Sequence, residues 1–300
     1  EDGAQMATPV MKRTWSTPIV VGGALLLGAA FLLLRGRWRL LPVPFLVAYF
    51  ALASGVVDER MRAASLATLG AGIGTDRDWV DEAIGPGGNA VGIWSPTGLY
   101  LDWTNEVFSR ALGRAYAFEY LPDGLPYTAV DVDAATGALS EAGGAPIESE
   151  YAVVEPNLAL AASEVAADPL LGTRVYRTDG PLVALERVTG RYADEYSGNV
   201  LEYTRYACPG GRLEVAFTTN ALLATEPQSV SVSVGGQLVG TAVVGPGAVE
   251  QPAEVELTPD PDGACRARFL VSPTVVPNDV LGNGDTRELG VQFERLEFTG

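Results

Sequence analysis

Two uncharged apolar runs near the start constrain this chain more than any other feature. Residues Thr14 to Leu34 and Leu40 to Val57 contain no Asp, Glu, Lys or Arg over 21 and 18 residues. At about 1.5 Å rise per residue, each is long enough to cross a hydrocarbon core of roughly 30 Å. Pro42 and Pro44 fall in the first turn of the second run, where proline is tolerated. Trp15 and Trp38 stand at segment ends, as interfacial aromatics do. The connection Arg35-Gly36-Arg37-Trp38-Arg39 carries three arginines, which the positive-inside rule places in the cytoplasm. The expectation is a transmembrane hairpin with both outer ends on the far side. Lys12 and Arg13 ahead of the first run leave a signal peptide as an alternative, and a buried helical hairpin as another.

Charge reinforces that reading. Residues 1–57 hold five basic and two acidic side chains, whereas 58–300 hold 15 basic and 35 acidic, a net of −20. An acidic surface of this size cannot neutralise phosphates, so nucleic acid is excluded as a partner. The chain has no histidine, which removes Ser-His-Asp triads, Cys-His dyads and HExxH zinc sites. The single lysine, Lys12, leaves no Schiff-base or P-loop lysine in the body of the protein. Two cysteines are too few for a four-thiolate zinc site.

Beyond Val57 the sequence predicts a linker over 58–75, a small α/β domain over 76–171, and an all-β domain over 172–300. Gly70-Ala71-Gly72-Ile73-Gly74 lies in the linker, without the strand before it and the helix within it that a dinucleotide fingerprint requires. Thr75 and Asp78 fit a capping box opening a short helix with Trp79, Val80, Ala83 and Ile84 on one face. Ala90 to Trp94 reads as a buried strand, Trp103 to Leu112 as a helix capped by Asp102, and Ala115 to Tyr120 as a strand. From Gly172 on, nine short strand patterns alternate with Gly/Pro/Asn/Asp turns, the signature of an antiparallel sandwich resembling a jelly roll. Cys208 ends one of these strands and Cys265 begins another, which suits a structural disulfide closing a 57-residue loop. A reactive thiol is the weaker alternative, since no histidine or nearby lysine can lower its pKa.

Several stretches carry a resemblance as a set. They are Asp78-Trp79-Val80-Asp81-Glu82-Ala83-Ile84-Gly85, the strand ending in Trp94, Trp103-Thr104-Asn105-Glu106-Val107-Phe108, and Gly113-Arg114-Ala115-Tyr116. Further on come Ser197-Gly198, Tyr203-Thr204-Arg205, Cys208 with Gly210-Gly211, Cys265 to Thr274, and Asp285 to Gly290. Over about 220 residues the chain resembles the C-terminal portion of bacterial GT-C type (glycosyltransferase 39-like) polytopic membrane glycosyltransferases. The resemblance implies transfer of sugar from a polyprenyl-phosphate donor to a glycan acceptor, in the cell membrane, with residues 58–300 on the extracytoplasmic side. It also implies that the catalytic carboxylate lies in a first exterior loop which these 300 residues do not contain. On that reading Glu1 is an internal position, and this part supplies the last helices with accessory domains that brace the catalytic core or hold the acceptor. The alternative is a two-helix anchored glycan-binding or envelope-structural protein.

Chemistry within the exterior region is sparse. Asp102 and Glu106 sit one helix turn apart, as a substrate-facing pair or as a cap and a solvated face. Asp194 and Tyr196, with Glu195 between them, are candidate glycan contacts, because tyrosine rings stack on pyranose faces, or else a polar turn with an ordinary strand tyrosine. Arg287 is a further candidate contact, against the simpler reading that it pairs with a nearby acid or caps a strand end. Asn278, Asp279, Asn283 and Asp285 form an oxygen-rich loop of the kind that holds a structural calcium ion, although their spacing matches no EF-hand. Turn chemistry accounts for the same residues.

Overall fold

The computed structural model describes residues 78–95, 109–118, 127–168 and 172–300, all within the compact unit Ile73–Gly300. The two apolar runs, the linker glycines, Thr75 and the Asp102/Glu106 pair lie outside the described residues.

The described chain is almost entirely β. Its two helices are α1 (Trp79–Ile84) and α2 (Pro277–Leu281). At about 1.5 Å per residue they are roughly 9 and 8 Å long. Among the described residues no helix is long and apolar enough to cross a membrane. The expected membrane-hairpin fold class is thereby corrected to a β-domain over the described residues, and no described helix supports the expected multi-pass membrane location; the two apolar runs on which that expectation rests lie outside the described residues.

A seven-stranded mixed sheet takes the place of the expected α/β unit. Its order is β4 (Leu139–Glu141), β3 (Thr128–Val132), β2 (Leu112–Ala117), β1 (Ala90–Trp94), β5 (Tyr151–Val154), β8 (Arg174–Arg177) and β7 (Ser163–Ala167). Strands β1, β2, β3 and β5 run parallel, and the outer strands are antiparallel. Leu112, expected to end a helix, instead opens β2 opposite Ala90. Gly113 weakens a helix there, while the Ala90–Trp94 backbone offers a continuous set of hydrogen-bonding partners. Every residue of β1 is buried, as a strand covered on both faces should be.

The second body is a sandwich. One sheet runs β13 (Gln237–Val244), β12 (Gln228–Val234), β15 (Cys265–Ser272), β10 (Ser197–Arg205), β9 (Ala184–Arg191) and β6 (Leu158–Leu160). The other runs β14 (Gln251–Leu257), β11 (Gly211–Thr218) and β16 (Gln292–Thr299). Each of the nine strands expected after Gly172 has an observed strand within a few residues of it, but the first, β8, belongs to the mixed sheet, and β6 joins the sandwich from before Gly172. In β12 the sequence Gln-Ser-Val-Ser-Val-Ser-Val alternates, and its burial alternates with it. The inward rows of both sheets form one core containing Leu201, Tyr203, Leu213, Val215 and Val230. At its centre Phe217, Phe269 and Phe293 meet edge to face, with centroids 5.1 to 6.4 Å apart. Cys208 and Cys265 are both buried and form a disulfide, their Cα atoms 5.6 Å apart.

Candidate functional site

At one end of the sandwich, the turn between β9 and β10 sets the geometry. Gly190 enters it at φ +75°, and a Cβ there would stand 2.0 Å from the carbonyl oxygen of Val200, so only glycine allows this approach. The pairing of β9 with β10 is irregular between Ser197 and Glu202, which frees the residues before it to form the turn. The Tyr192 amide donates to the Tyr196 carbonyl (2.8 Å), and the Glu195 amide donates to the Tyr192 carbonyl (3.0 Å). Glu195 itself takes φ 68°, a left-handed conformation that costs a non-glycine residue free energy and persists only when its surroundings impose it. Those surroundings are visible. The half-buried Arg191 donates through Nη2 to Glu195 Oε1 (3.0 Å) and to the Phe293 carbonyl (2.9 Å), and the Phe293 amide donates to the Glu195 carbonyl (3.0 Å). Burial holds Arg191 below the ordinary arginine range, with Glu195 opposing the shift.

The loop before β16 docks onto this turn through Arg287. Its Nη1 and Nη2 donate to the two carboxylate oxygens of Asp194 at 3.1 and 2.8 Å. Its Nε and Nη2 donate to Asp285 at 3.0 and 2.8 Å. The guanidinium also lies over the Tyr192 ring, 4.9 Å from its centroid. Arg287 thus spends its planar fork on two carboxylates and a ring face. These carboxylates hold its pKa above the ordinary arginine value, and Arg287 in turn holds the Asp285 carboxyl below the usual range. Tyr196 is half-buried and shares a hydrogen bond with Asn220, from the loop after β11. Its hydroxyl is pushed up by burial first, while the Asn220 bond pulls the other way. Gln292 completes the rim, its amide directed at the Asp194 carbonyl (3.4 Å).

The structure therefore brings Asp194, Tyr196 and Arg287 into one cluster, although 93 residues separate the first from the last. Tyr192, Asn220 and Gln292 belong to the same cluster and escaped the sequence reading. Tyr192 carried the one usable signal, its spacing of four from Tyr196 across a polar turn. Asn278 lies on α2, and Asn283 and Asp285 in the loop after it, and each is already an acceptor. Asn278 Oδ1 takes the Gly284 amide (2.9 Å), Asn283 Oδ1 the Asp285 amide (3.1 Å), and Asp285 the Arg287 side chain. Asp279 is exposed on α2. Among the described residues no group of three or more His, Cys, Asp or Glu side chains is arranged to hold a metal ion.

A second polar feature lies in the mixed sheet. Glu155, 2% exposed, follows β5, and Ser95 follows the neighbouring parallel strand β1. The amide and hydroxyl of Ser95 donate to Glu155 Oε2 at 3.1 and 2.6 Å. The pair thus ties the carboxyl ends of β1 and β5 together. A lone glutamate after an apolar run has no sequence signature.

No protein-family model matches the chain. No curated protein matches it either. Among solved structures it is similar to the CBM51 of Clostridium perfringens GH95, solved in complex with methyl-galactose. That match has 11% identity and a TM-score of 0.23, and covers 61% of this chain and 95% of the other. It is also similar to the M60 catalytic domain with CBM51-1 and CBM51-2 from Clostridium perfringens ZmpB, at 11% identity and a TM-score of 0.25, covering 49% and 16%. Likeness at this level assigns neither a family nor a ligand.

Proposed function

We propose that the sandwich is a glycan-holding accessory module, the acceptor-holding role expected from the glycosyltransferase resemblance. The observation that supports it is the Arg287 cluster: residues from two distant segments are locked into a partly exposed rim of carboxylate, amide and aromatic groups. Asp194 and Glu195 keep 46% and 42% of their side-chain surface in solvent. Hydroxyl groups of a sugar donate well to carboxylates held in place beforehand, and ordering them costs the complex little. Arg287 is not a free cation awaiting an anion, because its donors are spent on Asp194 and Asp285. The same commitments suit the site to binding rather than to proton transfer.

The test is a glycan array probed with the full chain, followed by titration of the best glycan into wild type, Asp194→Asn and Tyr192→Ala. The reading expects saturable binding that each substitution weakens at least tenfold while the far-ultraviolet circular dichroism stays unchanged. A wild-type chain that binds no glycan on the array, or variants that bind as tightly as wild type, would overturn it.

A further inference from the structure

Strand β13 closes one edge of the six-stranded sheet, and its outer side has no partner strand among the described residues. Gly235 and Gly236, both at positive φ, turn the chain tightly from β12 into β13. The sequence from Pro227 to Val249 contains no charged residue. That is unusual for a chain with net charge −17. Edge strands are ordinarily protected by charges, proline, short length or a covering element. Here the strand is eight residues long, with neither a charge nor a proline. Leu238, Val239 and Val243 are 66%, 55% and 61% exposed. One irregularity, between Val232 and Ser233 of β12, marks the hairpin end and leaves Gly240 to Val244 in regular register.

We infer that β13 pairs antiparallel with β13 of a second copy of this chain, across a two-fold axis near Ala242. Two features select a second copy as the occupant. Copies this acidic repel one another over most approaches, and the uncharged hairpin is a surface on which they meet without that cost. Antiparallel pairing of one strand with itself is also self-complementary, as a closed two-fold dimer requires. About Ala242, Thr241 of one copy faces Val243 of the other, and Gly240 faces Val244. The outward side chains of Thr241 and Val243 lie beside Ser231 and Ser229 of β12, so the joined face continues as a hydroxyl and aliphatic surface. The edge-to-edge union leaves the Arg287 cluster's own hydrogen bonds untouched.

The experiment is analytical ultracentrifugation of the full chain over a wide concentration range. Wild type is compared with Thr241→Glu/Val243→Glu and Thr241→Lys/Val243→Lys variants. These sites are exposed, so each variant folds, as unchanged circular dichroism will show. The expected result is a concentration-dependent dimer for wild type and at least tenfold weaker association for each variant alone. A one-to-one mixture of the two variants should recover the dimer, because each glutamate then faces a lysine. A wild-type mass of one chain at every concentration overturns the inference. So does a glutamate variant that associates as tightly as wild type, or a mixture no tighter than the variants alone.

Discussion

Replacing Arg287 tests whether the cluster at the end of the sandwich is a rigid unit or a chance surface contact. Arg287→Gln removes the charge and the fork together, and Arg287→Lys keeps the charge but reaches one carboxylate at a time. The guanidinium serves two carboxylates, at 2.8 Å in each case. Side-chain exposures of 38% for Arg287 and 46% for Asp194 mean solvent screens much of the attraction, so each pair is credited with about 0.5–1 kcal/mol. Arg287→Gln should therefore cost about 1–2 kcal/mol and Arg287→Lys about half of that. For a body of this size the Arg287→Gln loss corresponds to roughly 2–8 °C in Tm. Asp285 has a folded pKa below its unfolded value. Its contribution is thus present in full above the ordinary carboxylate pKa, about 3.9, and is lost as pH falls through the folded value. Thermal unfolding of wild type and Arg287→Gln, followed by circular dichroism from pH 7 to pH 3, should show a gap that is full at neutral pH and closes at the acid end. High salt should narrow it too. A gap of under 1 °C at pH 7, or one that persists undiminished at pH 3, refutes the argument that the ion network holds the two loops together.

Three further outcomes follow from the packing. Reduction of Cys208–Cys265 frees a loop spanning 57 residues, which the chain-entropy model values at about 4 kcal/mol, so the urea midpoint should fall sharply in reductant and not at all in a Cys208→Ser/Cys265→Ser variant. Phe293→Ala removes the ring that touches both Phe217 and Phe269 and should cost about 3–5 kcal/mol by equilibrium denaturation, with little change if the core collapses around the gap. Glu214 lies directly opposite both Glu254 and Glu297 on the outer face of the three-stranded sheet, so Glu214→Lys should stabilise the fold by about 0.5–1 kcal/mol, less at high salt.

The sandwich was legible because its strands obey a period-two rule that burial enforces residue by residue. In β12 and β15 one face must enter the core, so Val230, Val232 and Val234, like Ala267, Phe269 and Val271, alternate with polar or exposed neighbours. Turn glycines then mark where each strand stops, as Gly235-Gly236 does. The mixed sheet was harder to read. Strand β1 announced itself as a short apolar run, but β7 is mostly exposed and its Ser-Glu-Val-Ala-Ala carries no pattern that distinguishes an edge strand from a loop. The Leu112 to Ala117 segment fits either state locally, and pairing with β1 decides it, a contact to a residue more than twenty positions away. Hydropathy is likewise a local quantity: it measures how apolar a run is and nothing about the architecture built after it, which here is a β-domain with helices of six and five residues.

The site was legible in its parts and not in its assembly. Asp194 and Tyr196 stand out in the sequence as candidate glycan contacts in a polar turn, and Arg287 as a cation suited to pair with some nearby acid. Nothing in either segment states that one completes the other. That link is made by the sandwich, which sets Tyr196 opposite Gln292 and the Gly290 amide against the Ser197 carbonyl (2.7 Å), bringing the loop before β16 alongside the β9–β10 turn. Gly290 permits this approach, since a Cβ there would stand 2.5 Å from the Ser197 hydroxyl and force the segments apart. A single methyl group at a position carrying no functional chemistry should therefore disturb the cluster by shifting Arg287 away from Asp194. The residues that bind are chosen by chemistry, but the distance between them is set by strands and glycines elsewhere in the chain.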